Sequence, residues 1–224
     1  VAREVVERRD ADGSRCDVVV PPLGSVIAAR IARLPAPARE VLDLLAIAGR
    51  PLDRDVARRA LGVDADPRPA LALLHARRFA RPVPVDGRVA DAIDHDRILD
   101  AVLASLAPER RRTLHLAVAG ALGNSNEADP RLLVHHYEHA GETARAADLA
   151  LVAGRRAAAD LAFHQAADLY ARALALGTTA APAWVLHARI GRMLTFAGRA
   201  GEAAHHLETA ADAIADGAPA DTRA

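Results

Sequence analysis

Lysine is absent from all 224 residues, and this excludes the phosphate-binding loop G-x-x-x-x-G-K-[ST], whose lysine must reach the phosphates. Cysteine is almost absent. A lone Cys16 forms no internal disulfide and has no ligand-type neighbour at metal spacing, so no metal site is expected and a reducing cytoplasm is the default compartment. Aromatic residues make up only 3% of the chain, too few for a β-sandwich core of large inward side chains. No run of about eighteen apolar residues occurs, which argues against a transmembrane helix. Neither sign of charge is in excess: 29 basic residues, all arginine, balance 29 acidic ones, which removes the usual electrostatic argument for a nucleic-acid or membrane partner. Serines are few, and Ser105 sits in an apolar helical run without the G-x-S-x-G context of a nucleophile. With no nucleophile, acid–base pair or cofactor loop, the chain by itself is expected not to be an enzyme.

What is present is apolar and helix-forming. The 51% apolar content suffices for a globular core, and alanine recurs every few positions, which predicts a mainly α protein packed through small side chains. The start, VAREVVERRDADG, reads as the tail of an amphipathic helix; with no initiating methionine, the chain is expected to be a piece of a longer protein. CDVVVPP then suggests a short strand stopped by prolines. Helices are expected from about Ser25 to Arg33, over Ala36 to Ala48 with Gly49 as its stop, from a cap at Asp53 to Ala60 or Leu61, and from Pro67 or Pro69 to about Arg77. Arg81 to Val85 and Arg88 to Ile93 are β-compatible runs joined by Asp86-Gly87, a strong hairpin signal. Three short helices followed by a hairpin is the winged-helix order. Helical periodicity returns over Asp96 to Leu106 and Pro108 to about Leu122, and polar Gly123 to Asp129 marks a boundary.

The remainder contains a repeat. Gly154, Ala157, Ala166, Tyr170 and Ala173 recur 37 residues later as Gly191, Leu194, Ala203, Leu207 and Ala210. This resembles the tetratricopeptide repeat, a helical hairpin of about 34 residues with small residues where its helices touch. Helices near Pro130 to Ala140 and Glu142 to Arg156 are expected to begin the stack.

Three groups of residues carry candidate chemistry. His95 and Asp96 lie where a strand passes into a helix; the Asp96 carboxylate is placed to cap that helix, and His95 to meet a phosphate from a neighbouring domain. Arg68, Arg77, Arg78 and Arg81, with His75, lie in a stretch from Pro67 to Val85 free of acidic residues; they suit either phosphate and guanine contacts or a surface facing another domain. Neutrality of the whole chain argues against direct DNA binding. His135 and His139 share a helical face beside His136, but the H-E-x-x-H pattern is missing and packing is the simpler role. His164, His187, His205 and His206 have no carboxylate or cysteine at ligand spacing.

Taken in order, IARLPAPAREVLDLLAIAGRPLD, IDHDRILDAVLASLAPERRRTLH and LVHHYEHAGETARAADLALVAGRRAAADLAFHQAADLYARALAL resemble the region after the nucleotide-binding core of STAND-class signalling ATPases. That group includes apoptotic protease-activating factors, plant disease-resistance proteins and large bacterial regulators attached to kinase, cyclase or LuxR-type DNA-binding domains. Members end their winged helix with Met-His-Asp or Arg-His-Asp, whose histidine contacts the β-phosphate of bound ADP; here Asp94-His95-Asp96 takes that place, with an acidic first residue. The resemblance implies an upstream helical region and connector over 1–34, a winged-helix domain over 35–95, bridging helices over 96–126 and tetratricopeptide-like repeats over 127–224. It further implies a cytoplasmic, non-catalytic regulatory part of a signalling ATPase active in signal transduction and transcriptional regulation. ATP or ADP would be bound only by the parent, the partners being an upstream nucleotide-binding domain and an inducer, protein or small molecule, on the repeats. The alternatives are a DNA-binding winged helix with protein-recruiting repeats, and a passive peptide-binding scaffold.

Overall fold

The computed structural model describes residues 4–9, 15–20, 23–62, 65–123 and 129–217, with side chains from residue 23 onward. Eleven helices and five strands lie among the described residues, so the protein is mainly helical with a small antiparallel sheet. The chain divides into two compact units, 1–121 and 122–224.

The first unit begins with a strand pair. Glu4–Arg9 (β1) is a strand, not the tail of a helix, and pairs antiparallel with Arg15–Val20 (β2), placing Val5 opposite Val19 and Val6 opposite Val18. Valine is branched at Cβ, which restricts χ1 in a helix and suits a pleated surface, and here valines supply both strands. The expected turn, Asp10 to Ser14, lies outside the described residues.

Leu23–Ala32 (α1) precedes Ala36–Ala48 (α2), the central helix of this unit. Val41, Leu42, Leu44, Leu45 and Ile47 are buried, as are Ala38, Ala46 and Ala48, so α2 is covered on nearly every side. It ends where Gly49 turns left-handed at φ +64°, a conformation that costs most side chains about 1–2 kcal/mol. Leu52–Asp53 (β3) follows, and Asp53 then caps Arg54–Leu61 (α3), its Oδ1 accepting from the amides of Asp55 at 2.8 Å and Val56 at 3.3 Å. Arg68–Ala76 (α4) leads through Arg78 and buried Phe79 into Ala80–Val85 (β4) and Arg88–Ile93 (β5). Asp86 and Gly87 both have positive φ, which lets the two-residue turn match the twist of its strands.

The sheet order is β3-β5-β4. Pro82 and Pro84 fall on β4, an outer strand, two residues apart, so their missing amides face away from the ladder with β5. Asp96–Ser105 (α5) packs on α1 and α2, and Pro108–Gly123 (α6) follows.

The second unit is a run of helical hairpins: Pro130–His139 (α7), Thr143–Ala159 (α8), Phe163–Ala175 (α9), Ala183–Phe196 (α10) and Ala200–Ala215 (α11). Each packs on its sequence neighbour, and their short connections make neighbours antiparallel. Small residues set the closest approaches. A Cβ added at Gly154 would lie 2.8 Å from Tyr170 ring atoms, and one at Gly191 would lie 2.6 Å from Leu207 Cγ and 3.1 Å from the Ala203 carbonyl. The turns after α7 and α10 place left-handed Gly141 and Gly198 at their corners, but the turn after α8 places Leu161 there, at φ +60° and 71% exposed.

Candidate functional site

β5 delivers three residues of interest in sequence: Asp91, Asp94 just past its end, and His95. Asp91 lies on the central strand with its side chain 1% exposed. Its Oδ2 accepts from Arg54 Nε at 2.8 Å, at the start of α3, and its Oδ1 lies 2.7 Å from His75 Nε2, in the last turn of α4. One buried carboxylate thus ties the sheet to two helices, and the low-dielectric surroundings make these partners necessary. His75 therefore turns inward and does not join a basic surface with the nearby arginines.

His95 is the residue at which α5 begins, with extended backbone. Its side chain is 76% exposed, and its Nε2 lies 3.7 Å from an Asp94 oxygen. Asp94 is mostly buried and also lies 3.8 Å from Arg81, whose fixed positive charge offsets that of its carboxylate. The cap expected from Asp96 is corrected: Asp96 is the first helical residue, and no side-chain hydrogen bond caps α5. Its negative charge still suits the helix N-terminus, where the backbone dipole is positive.

The four arginines do not form one stripe. Arg68 begins α4 and grips Asp66 through Nε at 2.9 Å and Nη2 at 3.0 Å. Arg77 and Arg78 lie past the other end of that helix, Arg78 with left-handed φ +58°, while Arg81 on β4 faces Asp94. The Arg77 carbonyl accepts from Arg30 Nη2 at 2.8 Å.

In the second unit, His135 and His139 do share a face of α7, with ring centroids 4.1 Å apart, and His139 Nδ1–H donates to the His135 carbonyl at 2.8 Å. His136 is buried. A groove of about 240 Å³ between α7 and α9 is lined by Arg131, His135, Glu138, Asp168 and Arg172, with Val134 and Leu169 at its apolar wall. Arg172 forms a two-point ion pair with Glu138, which holds the Glu138 carboxyl below the ordinary glutamate range. Burial, and then the neighbouring His139, lower the His135 pKa.

The structure also joins two histidines that linear spacing left apart. His187 on α10 and His206 on α11 meet through Nδ1 at 3.0 Å, and the His205 ring lies 5.7 Å from that of His206. They are 19 residues apart, too far for a ligand-spacing rule, yet the 37-residue repeat register aligns them with the touching helices of the preceding hairpin.

Neither a family model nor a curated protein matches this chain. Among solved structures, the crystal structure of BtubC (BKLC) from P. vanneervenii aligns over 91% of this chain and 96% of its own, at 12% identity and a TM-score of 0.25. At that level of likeness it supports no statement about fold or function.

Proposed function

We propose that this chain is the non-catalytic regulatory and protein-interaction part of a STAND-like signalling ATPase: a winged-helix domain with a nucleotide-sensing edge, followed by tetratricopeptide-like repeats. The observation that carries the reading is the connectivity of the first unit. The order α2-β3-α3-α4-β4-β5, with the short β3 pairing to β5 and a β4-β5 hairpin that would serve as the wing, supports a winged-helix reading, in which His95 passes from the last wing strand directly into a helix start. A 76% exposed imidazole there is free to meet a phosphate, and the Arg81–Asp94 pair offsets the acidic residue that precedes it.

The repeat reading is supported by the close helix approaches at Gly154 and Gly191, 37 residues apart. An exposed Phe196 ring against Phe163, centroids 5.0 Å apart, and exposed Leu161 leave apolar surface for an inducer or partner. In this mechanism the upstream nucleotide-binding domain of the parent closes over ADP with His95 on its phosphate, in the cytoplasm. A partner on the repeats favours the open form only by binding it more tightly than the closed one. Dispersal of Arg68, Arg77, Arg78 and Arg81 over both ends of α4 and onto β4 weighs against the DNA-binding alternative.

The test is ADP retention by the parent protein. His95→Ala, at a well-exposed position, will leave the fold intact and release ADP at least tenfold faster. Equal retention by wild type and variant removes the sensor role and leaves the scaffold reading.

A further inference from the structure

The histidines that meet between α10 and α11 stand at positions that are apolar and buried in the preceding repeat. Shifted by the 37-residue period, His187 aligns with Ala150 and His206 with Leu169, both buried in the α8–α9 hairpin at 0% and 4% exposure. A repeat that merely needed helix packing at this level already has a solution in alanine and leucine. The second hairpin instead holds two imidazoles with ring centroids 5.1 Å apart and planes inclined by 37°.

At 3.0 Å the two Nδ1 atoms share one hydrogen, one ring donating and the other accepting. That separation also fits an edge of a metal coordination polyhedron. Two nitrogens about 2.05 Å from a tetrahedral ion lie about 3.3 Å apart, and cis ligands of a square-planar ion about 2.9 Å apart. The observed value falls between the two, so an ion enters after movements of a few tenths of an ångström. His205, exposed on α11, has its ring centroid 5.7 Å from that of His206, and its nitrogens do not close on the pair as they stand, so it joins an ion only by turning its ring inward.

We propose that His187 and His206, with His205 beside them, form a site for a divalent transition-metal ion of the zinc, nickel or copper class. On binding, the ring that carried its hydrogen on Nδ1 becomes the Nε2–H tautomer, so both rings stay neutral and no proton is released. Their surroundings already favour the neutral form. Burial, then His205, lowers the His187 pKa; burial, then His187 and His205, lowers that of His206 against a smaller opposing effect of Glu202, itself engaged by Arg199. The site is independent of the nucleotide-sensing reading.

The experiment is calorimetric titration of the 224-residue chain with zinc chloride at pH 7.5, alongside His187→Ala/His206→Leu, which installs the apolar residues found at the aligned buried positions 150 and 169. His135→Ala/His139→Ala serves as control, since it removes the other helical histidine pair. Saturable binding is expected in wild type and control, weakened at least tenfold in His187→Ala/His206→Leu and several-fold in His205→Ala. In wild type carrying ¹⁵N-labelled histidine, zinc should shift the Nδ1 resonances of His187 and His206. Absent saturable binding, equal binding by His187→Ala/His206→Leu, loss of binding only in the α7 control, or unmoved His187 and His206 resonances would each overturn the site.

Discussion

Removing the Asp91 carboxylate will cost the first unit less than removing the two side chains that hold it. Asp91 is 1% exposed, whereas the side chains of its partners Arg54 and His75 are 41% and 26% exposed. Asp91→Asn keeps the volume and one acceptor oxygen, and the released Arg54 is solvated where it stands. A charge-assisted hydrogen bond contributes about 1.5–3 kcal/mol, and screening of the exposed arginine reduces that, so the expected cost is about 1–2 kcal/mol. Arg54→Ala/His75→Ala instead leaves the buried carboxyl group without either partner, at a cost of about 3–5 kcal/mol. At about 4 °C per kcal/mol for a unit of this size, the melting temperature falls about 4–8 °C in the first case and about 12–20 °C in the second. Urea-dependent hydrogen exchange of peptides spanning β4 and β5 reads the unit locally, while fluorescence of the sole tryptophan, Trp184 on α10, reads the other. Adding Asp91→Asn to the double variant should recover part of the loss. An Asp91→Asn cost equal to that of the double variant would show that desolvation of the carboxylate does not govern the cluster.

Leu161→Gly should raise the stability of the second unit by about 1 kcal/mol in urea unfolding, by relieving a left-handed leucine that buries little; a decrease would show that the exposed side chain has packing value. Gly154→Ala and Gly191→Ala should each destabilise by about 1–3 kcal/mol, while Gly120→Ala and Gly201→Ala, whose Cβ would meet nothing within 4 Å, should stabilise by about 0.5–1 kcal/mol. Because the Glu138 pKa is lowered from 4.5 chiefly by its bond to Arg172, the folded state binds that proton less readily than the unfolded one. Its contribution is complete above the ordinary glutamate pKa and vanishes as pH falls through the folded value; Glu138→Gln should flatten that acid limb in pH-dependent melts. For His187 and His206, both lowered from 6.5, stability should likewise be lost as pH falls below 6.5, and His187→Ala/His206→Leu should remove that slope.

Much of the helical framework was legible because its signals are local. Asp53 and Gly62 bracket α3, Gly49 stops α2, and Asp86-Gly87 turns the hairpin, all through short-range backbone chemistry. Two-residue β3 has no period to detect and exists only because β5 lies alongside. Glu4–Arg9 was misread since VAREVVERR fits a helical stripe as well as a strand, and the choice is made by pairing with residues 15–20. Asp91 gave no signal among alternating strand residues: its role depends on Arg54 and His75, brought from two different helices. The His187–His206 contact lies in the repeat register, where two positions that are apolar in the preceding hairpin become polar, but a 19-residue separation gives no local ligand-spacing signal. His95 was singled out by its place after the hairpin, and the structure adds its exposure and the compensation of Asp94 by Arg81.

Pro82 and Pro84 have a consequence for how this protein can be recruited. A partner that docks by lending a strand needs a row of free amide hydrogens along a sheet edge, and β4 lacks two of them on the outward side. The opposite border, β3, is only two residues long. The β3-β5-β4 sheet is therefore closed to extension from either flank, which protects it from edge-to-edge aggregation. Association through this sheet must use side chains on its surface, where recognition depends on shape and charge and can be altered one residue at a time.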